Sequence, residues 1–260
     1  MNLKIITILG ARPQFIKAAT VSRAIREHNA KNSYSIKEII VHTGQHYDAN
    51  MSDVFFEEMD IPRPDYRLEC GGLGHGAMTG RMLEKIEDIL DAEKPDWVLV
   101  YGDTNSTLAG ALAASKMHIK VAHIEAGLRS FNMAMPEEIN RIITDRVSNH
   151  LFCPTNIAVK NLRTEGFPFN TSLGDEQKIL NVGDVMYDAT LFYQKKAKEE
   201  VSLEKWGLVE NAYALCTIHR AENTDDPNRL QSIIKALTTI NKSLPIILPL
   251  HPRTKKIISE

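Results

Sequence analysis

The sequence predicts an α/β protein with two domains, each built on a mostly parallel sheet. Short apolar runs alternate with helical patterns along most of the 260 residues, and this alternation is typical of crossover units that cover a parallel sheet on both faces. The length suits two domains at the usual ~100–200 residues each. A polar stretch, 167–177, interrupts the alternation, so we expect one domain over residues 1–175 and a second over residues 176–260.

The first domain is predicted from apolar runs of strand length, each followed by a helical pattern. The predicted strands are 5–9, 36–41, 97–101, 121–124 and 151–153, with 66–69 at best a short strand. The predicted helices are 15–27, 49–58, 78–91, 106–117, 137–147 and a Thr155-capped helix that reaches residue 165. Pro136 suits a first helical position, and Glu137 and Glu138 favour the positive end of the helix dipole.

The second domain repeats the alternation and then stops early. Strands are predicted at 179–182, 213–218 and 246–250, and helices at 186–200 and 227–241. Because a parallel sheet needs cover on both faces, we expect an incomplete domain with apolar sheet surface left open.

Composition excludes several classes of partner. The chain is 43% hydrophobic and 25% charged with a net charge of -2, which gives no field for nucleic acid or acidic membranes. No stretch reaches the ~18 apolar residues of a membrane span. Cys70, Cys153 and Cys216 are far apart, so we interpret them as reduced thiols of a cytoplasmic protein.

Polar signatures follow many of the predicted strands, where parallel sheets bind ligands. They are Gly10–Pro13 with Lys17, His42–His46, Gly102–Ser106, Glu125–Arg129, His219–Asn223 and His251–Arg253. Each has a structural explanation as well, such as a helix cap at Asp103 or Thr104 or dipole pairing at Glu137 and Glu138. His42 and His46 have metal-like spacing, but no carboxylate at helical spacing supports a third ligand, so we expect no metal. Basic residues facing carboxylates suit a phosphorylated or nucleotide-linked substrate.

Six segments together resemble one family closely. They are GARPQFIK at 10–17, TGQH at 43–46, YGDTNST at 101–107, HIEAGLRS at 123–130, MPEEINR at 135–141 and HRAEN at 219–223. They resemble the non-hydrolysing UDP-N-acetylglucosamine 2-epimerases. The resemblance implies two Rossmann-like domains of the glycosyltransferase-B type, with the active site between them.

The resemblance also implies a reaction and its residues. UDP-N-acetylglucosamine and UDP-N-acetylmannosamine would interconvert without NAD or metal, by anti elimination of UDP to 2-acetamidoglucal and re-addition. The implied catalytic residues are Asp103, Glu125, Glu137 and His219. The predicted substrate-binding residues are Arg12, Lys17, Gln45, His46, Arg129, Arg141, Arg220, Glu222, Asn223, His251 and Arg253. Spacing does not assign which carboxylate is the base. We expect a UDP-sugar partner, a homodimer and a cytoplasmic role in making bacterial surface-polysaccharide precursors.

Departures from the family pattern leave the exact function open. QHYD and GGLGHGAMTGR differ from the loops that bind an activating second UDP-sugar, while GARPQFIK and NMSDVFFEEM resemble the branch that epimerises UDP-2,3-diacetamido glucuronate. The chain could also be a hydrolysing relative, a B-type glycosyltransferase or a non-catalytic sugar-nucleotide-binding fragment. Of these, a glycosyltransferase needs at most one base. Because family members are longer, we expect this chain to bind UDP weakly and to turn over little.

Overall fold

The computed structural model describes residues 2–45, 56–57, 60, 63–171, 173–218, 221–250, 254–255 and 257. The chain divides into two compact units, Met1–Tyr193 and Gln194–Glu260.

The first unit is built on one seven-stranded sheet in which every strand pair is parallel. Its strands are β1 (Leu3–Leu9), β2 (Ile36–His42), β3 (Tyr66–Arg67), β4 (Trp97–Tyr101), β5 (Lys120–Ile124), β6 (His150–Cys153) and β7 (Lys178–Asn181). The order across the sheet is β3-β2-β1-β4-β5-β6-β7. The predicted α/β class with a parallel sheet is therefore confirmed.

Helices connect these strands. They are α1 (Arg12–Lys31), α2 (His75–Glu93), α3 (Asn105–Lys116), α4 (Pro136–Val147), α5 (Asn156–Thr164) and α6 (Val185–Glu200). The predicted caps are present where they were expected: Pro136 begins α4, and the Thr155 side chain accepts a hydrogen bond from the Ala158 N–H at the start of α5. The predicted helix at 49–58 lies outside the described residues except for 56 and 57.

The two faces of the sheet carry separate parts of the core. Ile6 and Ile8 of β1 belong to a buried cluster with Met82 and Ile86 of α2. Other strand positions, among them Leu9, pack with residues of α1 such as Phe15 and Ala18. This two-sided burial is what a parallel sheet requires, and it explains the nearly continuous apolar runs in the sequence.

The strand order places a switch point between β1 and β4. From β1 the chain builds outward through β2 and β3, and then crosses to β4 and continues on the other side through β5, β6 and β7. Ligands of open α/β sheets bind beyond the carboxyl ends of the strands at such a point. The loops that follow β1, β4 and β5 therefore mark the expected site.

The boundary between the units differs from the one predicted at 175/176. β7 pairs in parallel with β6 and so belongs to the first sheet. The polar stretch ahead of it is also anchored there, because the buried Gln177 side chain donates hydrogen bonds to the carbonyls of Ser148, at 2.7 Å, and Asp145, at 3.1 Å. The unit ends after Tyr193 instead. The sequence shows an apolar run at β7 but not the strand with which it pairs.

The second unit contains a short parallel pair, β8 (Ala214–Leu215) and β9 (Ile246–Ile247). Its helices are a 3-10 turn (Leu203–Trp206), α7 (Ala221–Thr224) and α8 (Pro227–Ile240). Both strands are shorter than predicted. Leu215 of β8 is 72% exposed. In the described part of the chain, no helix is long and apolar enough to cross a bilayer.

Candidate active site

The turn after β1 is closely packed against the start of α3. A Cβ atom on Gly10 would lie 2.0 Å from the Ser106 hydroxyl and 2.2 Å from the Thr43 hydroxyl, so only glycine fits. These two hydroxyls are hydrogen bonded to each other at 2.8 Å. The buried Gln14 amide accepts hydrogen bonds from the Gly10 and Ala11 N–H groups and donates to the carbonyl of Tyr101 at 2.9 Å. The loops after β1 and β4 are thereby held together.

Lys17 and Glu125 form an ion pair across these loops. The Lys17 side chain is 8% exposed and that of Glu125 is 22% exposed. A Cβ on Gly102 would lie 3.1 Å from the Glu125 carboxylate and 3.2 Å from the Lys17 ammonium, so the pair packs directly on the turn after β4. Glu125 itself has a φ of 75°, a left-handed conformation that costs about 1–3 kcal/mol and is concentrated at functional sites.

Asp103 forms a second ion pair, with Arg141 of α4. The guanidinium contacts the Asp103 carboxylate at 2.6 and 3.1 Å. The helix cap predicted at Asp103 or Thr104 is confirmed at Thr104, which is the N-cap of α3 and accepts a hydrogen bond from the Thr107 N–H. Burial alone would lower the pKa of Arg141, but the charge of Asp103 and hydrogen bonds to Asp103 and Glu138 raise it. Arg141 therefore serves as a fixed cation next to Asp103.

Glu137 and Glu138 occupy the first turn of α4 but have different surroundings. Glu138 is 1% exposed and accepts hydrogen bonds from the N–H groups of Ser130 and Phe131, at 3.0 and 2.8 Å, as well as from Arg141. Burial raises the pKa of Glu138, but these hydrogen bonds lower it below its ordinary value. Glu137 is half-buried and has no hydrogen bond or ion pair among the described residues. Glu138 fixes the loop, and the catalytic role of Glu137 stays a prediction.

Arg129, predicted to bind substrate, is placed differently. Its side chain is 1% exposed and forms ion pairs with Asp145 and Glu165, each at 2.7 Å. Burial would lower the pKa of Arg129, but Glu165 and Asp145 raise it above the ordinary value. The guanidinium is thus paired with two internal carboxylates, and a contact of Arg129 with substrate stays a prediction. The sequence shows the arginine but not the distant carboxylates.

The remaining predicted site residues of the first unit follow the carboxyl ends of β1 and β2. Arg12 is exposed at the first turn of α1. The Gln45 amide oxygen accepts hydrogen bonds from the Ser106 N–H and hydroxyl, at 3.0 and 2.8 Å. His42 is buried, with its ring 5.0 Å from that of Phe15, and accepts a hydrogen bond from the Gly44 N–H. His46 lies outside the described residues. No group of metal-ligating side chains occurs in the part of the chain that the structure describes.

Most of the predicted residues of the second unit are not described. His219, Arg220, His251 and Arg253 lie outside the described residues, as does the side chain of Glu222. Asn223 is half-buried in α7. The structure thus brings together Lys17, Glu125, Asp103, Arg141 and the start of α4, and the roles of the others stay predictions.

A cavity of about 320 Å³ opens beside Glu125. Its lining includes Thr20 and Val21 of α1, Phe152 of β6 and the turn after β7 at Gly183. Apolar walls with a carboxylate at one end are usual for small-molecule sites. Glu125 therefore lies between its ion-pair partner and an open cavity that Asp184 and Asp188 also line.

The sequence matches the family model for UDP-N-acetylglucosamine 2-epimerase over residues 28–260. A curated relative from Pseudomonas aeruginosa, UDP-2,3-diacetamido-2,3-dideoxy-D-glucuronate 2-epimerase, is 59% identical over 257 residues, which cover 98% of this chain and 69% of the relative. The chain belongs to the UDP-N-acetylglucosamine 2-epimerase family. The family resemblance carried by the six sequence segments is confirmed.

Solved structures of family members agree with the fold. The epimerase from Methanocaldococcus jannaschii in complex with UDP-N-acetylglucosamine and UDP is 46% identical, with a TM-score of 0.79, over 100% of this chain and 68% of that chain. The Neisseria meningitidis enzyme bound to UDP-N-acetylglucosamine is 32% identical, with a TM-score of 0.77, over 99% of this chain and 69% of that chain. This chain spans about two thirds of the length of these epimerases.

Sequence reasoning missed several residues that build the site. Gln14, Glu138 and Asn140 hold the loops in place, and His123 with Asp145 forms a buried pair behind them at 2.7 Å. His123 offered a signal, because a polar residue inside an apolar strand requires partners. Nothing in the sequence indicates that its partner is Asp145.

Proposed function

We propose that the chain epimerises C2 of a UDP-linked 2-acetamido sugar by elimination and re-addition of UDP. The observation that carries the proposal is the set of three carboxylates at neighbouring strand and helix ends, each in a different environment. Glu125 pairs with Lys17, Asp103 pairs with Arg141, and Glu137 has no partner among the described residues. A transferase that needs a single base does not require such a set.

The chemistry of the reaction accounts for these residue types. A base removes the C2 proton, the electrons of that C–H bond form the C1=C2 double bond, and the C1–O bond breaks to release UDP. In the return step the double bond takes a proton at C2 from the opposite face, and a UDP oxygen re-forms the bond to C1. Two carboxyl groups on opposite faces of the ring suit this exchange. A third carboxylate stabilises the positive charge that develops at C1 when the C1–O bond breaks. Asp103, Glu125 and Glu137 are proposed for these roles, with His219 assisting the departing diphosphate.

Two substrates fit the proposal. UDP-N-acetylglucosamine is the substrate that the family name implies, and the 59% identity to the Pseudomonas aeruginosa enzyme favours the 2,3-diacetamido glucuronate analogue. The test is to incubate the protein with each nucleotide sugar and to identify the products by NMR. An intact UDP-linked epimer supports the proposal. Free sugar plus UDP would indicate a hydrolysing relative instead, and binding without any product would indicate a sugar-nucleotide-binding protein.

The setting of the reaction is also proposed. We place it in the cytoplasm, in a homodimer, and in the supply of precursors for surface polysaccharides. Membership of a family named for a nucleotide-sugar epimerase supports the supply of sugar precursors.

A further inference from the structure

The buried imidazole of His123 lies between two hydrogen-bond acceptors. Its Nε2 atom is 2.7 Å from the carbonyl oxygen of Gly102, and its Nδ1 atom is 2.7 Å from the Asp145 carboxylate. The His123 and Asp145 side chains are both 0% exposed. Because a carbonyl oxygen can only accept, Nε2 must carry a proton and donate it to Gly102.

Asp145 connects this imidazole to the turn after β5. Its second oxygen accepts hydrogen bonds from the Gly127 N–H at 3.1 Å and from Arg129 at 2.7 Å. The Asp145 carboxylate is thus paired with Arg129 and lies within hydrogen-bond distance of Nδ1 of His123. Gly127, Arg129 and His123 thus all contact one buried carboxylate. The position of Gly127 is thereby linked to the other two residues.

These contacts lie directly beside two of the proposed catalytic carboxylates. Gly102 precedes Asp103, and Gly127 follows Glu125 by two positions. The Gly102 N–H donates to the carbonyl of Ile124 at 2.9 Å, so the turn after β4 is fixed to β5 through both of its polar backbone groups. In the described part of the chain, His123 is the only donor to the Gly102 carbonyl.

We infer that His123 is a positioning residue for the proposed epimerisation. It fixes the peptide that precedes Asp103 and, together with Asp145, supports the turn that carries Glu125, so that the two carboxylates keep the separation that the sugar ring requires. The inference rests on the proposed function. Because misplacing a reacting group by 1 Å can cost ~100-fold in rate, a hydrogen bond that touches no substrate can still affect turnover.

Two substitutions test separately the hydrogen bonds of His123 to Gly102 and to Asp145. In His123→Asn, the side-chain amide can reach the position of Nδ1 and still donate to Asp145, but Gly102 loses its donor. In His123→Gln, the amide can reach the position of Nε2 and still donate to Gly102. Asp145 keeps Gly127 and Arg129 as donors in both variants. His123→Gln should therefore preserve the geometry of the turn after β4, and His123→Asn should not.

The matched control is Asn149→Ala. Asn149 is 8% exposed, and its side chain accepts a hydrogen bond from the Val121 N–H at 2.9 Å. This contact lies at the amino ends of β5 and β6, whereas the candidate site lies at the carboxyl ends of the strands. The control variant removes a buried hydrogen bond of similar kind without touching the loops that carry the carboxylates.

Turnover is followed by accumulation of deuterium at C2 of the product in heavy water. We expect His123→Asn to lower kcat by ~10- to 100-fold with KM within about twofold of the parent, because geometry is lost and the binding groups remain. His123→Gln should stay within about threefold of the parent kcat. Asn149→Ala should lower the melting temperature and leave kcat within about twofold at a temperature well below melting.

Hydrogen exchange gives a readout that does not require turnover. Amide exchange at residues 102–105 should rise in His123→Asn and stay at the parent rate in His123→Gln and Asn149→Ala. Parent-like exchange at 102–105 in His123→Asn would overturn the inference, as would equal kcat in the Asn and Gln variants. If the parent itself forms no epimer, the proposed function fails, while the exchange measurement still decides whether His123 holds this turn.

Discussion

At the scale of single residues, adjacent glutamates in one helical turn have different surroundings. Glu138 is buried and accepts hydrogen bonds from backbone N–H groups, whereas Glu137 is half-buried and has no partner among the described residues. Sequence alone interprets both as residues that favour the helix dipole. Only the packing of the loop at Ser130 and Phe131 distinguishes the hydrogen-bonded carboxylate of Glu138 from that of Glu137.

We expect Glu137→Gln to lower turnover by at least the ~100-fold typical of losing a general acid or base, with the melting temperature unchanged. Glu138→Gln is the matched control, and it should lower the melting temperature because its hydrogen bonds to the Ser130 and Phe131 N–H groups weaken. The measurements are deuterium incorporation at C2 and thermal unfolding. Near-normal turnover in Glu137→Gln would restrict Glu137 to a helix-dipole role.

The lowered pKa of Glu138 predicts how acid affects stability. A carboxyl group whose pKa is lower in the folded than in the unfolded state stabilises the fold at pH values above its unfolded-state pKa of ~4.3. That stabilisation is lost as the pH falls through the folded-state pKa. Glu138→Gln lacks this contribution at every pH. The difference in melting temperature between parent and variant should therefore be largest at pH 6–7 and should narrow on acidification below ~4.3. A difference that stays constant or widens with acid would contradict the assignment.

Some site residues were predictable because their position follows from the end of a strand. Asp103 and Glu125 come directly after apolar runs, and the structure places both at the switch-point edge. The ion pairs of Arg129 were not predictable, since its partners Asp145 and Glu165 are distant in sequence and are brought to it by tertiary packing. The same holds for the different roles of Asp103 and Thr104.

At the scale of secondary-structure elements, the close approach of the turn after β1 to the start of α3 aligns two of the loops. This approach depends on Gly10, whose hydrogen atom faces the hydroxyl pair of Thr43 and Ser106. Because Gln14 joins the same turn to the carbonyl of Tyr101, β1 and β4 present their ends in a fixed register. The Lys17–Glu125 pair is built on this arrangement.

We expect Gly10→Ala to destabilise the fold by about 1–3 kcal/mol, as overpacking of a close-packed core does, because the added methyl group would overlap the Ser106 and Thr43 hydroxyls. Gly80→Ala is the control. Gly80 lies within α2 with no atom within 4 Å of the added Cβ, so this change should stabilise the helix by up to about 1 kcal/mol. Urea unfolding measures both. A neutral Gly10→Ala would show that the turn can open without cost.

The predicted elements agree best where burial is continuous. β4 has the predicted bounds, and β1, β2, β5 and β6 differ by a few residues at their ends. The strand predicted at 213–218 is only two residues long in the structure, because a strand extends only as far as its neighbour pairs with it. Pairing is a tertiary property, which also explains why β7 was assigned to the wrong domain.

At the scale of the whole molecule, the first unit is more extensive than the sequence suggested. It includes β7 and the first half of α6, where Arg23 of α1 lies 3.7 Å from the ring of Phe192 and donates a hydrogen bond to Tyr193 at 3.2 Å. The proposed carboxylates Asp103, Glu125 and Glu137 all belong to this unit. The second unit carries the predicted histidine His219, whose role stays a prediction.

A chain that ends at Tyr193 should therefore melt cooperatively, and a chain that ends at Asp175 should melt at a lower temperature or aggregate. The shorter chain lacks β7 and the Gln177 side chain, so β6 becomes an unpaired edge. Thermal unfolding and size-exclusion chromatography of the two chains provide the comparison. Equal stability would indicate that β7 contributes little to the first unit.

The proposed role of Asp103, Glu125 and Glu137 is an elimination and re-addition at C2 of a UDP-sugar. Its most direct test is a reaction in heavy water with UDP-N-acetylglucosamine and with its 2,3-diacetamido glucuronate analogue, followed at C2 by NMR. Deuterium accumulates over time, so slow turnover is also detected. We predict a UDP-linked epimer that carries deuterium at C2. An epimer that retains its original hydrogen at C2 would contradict the account.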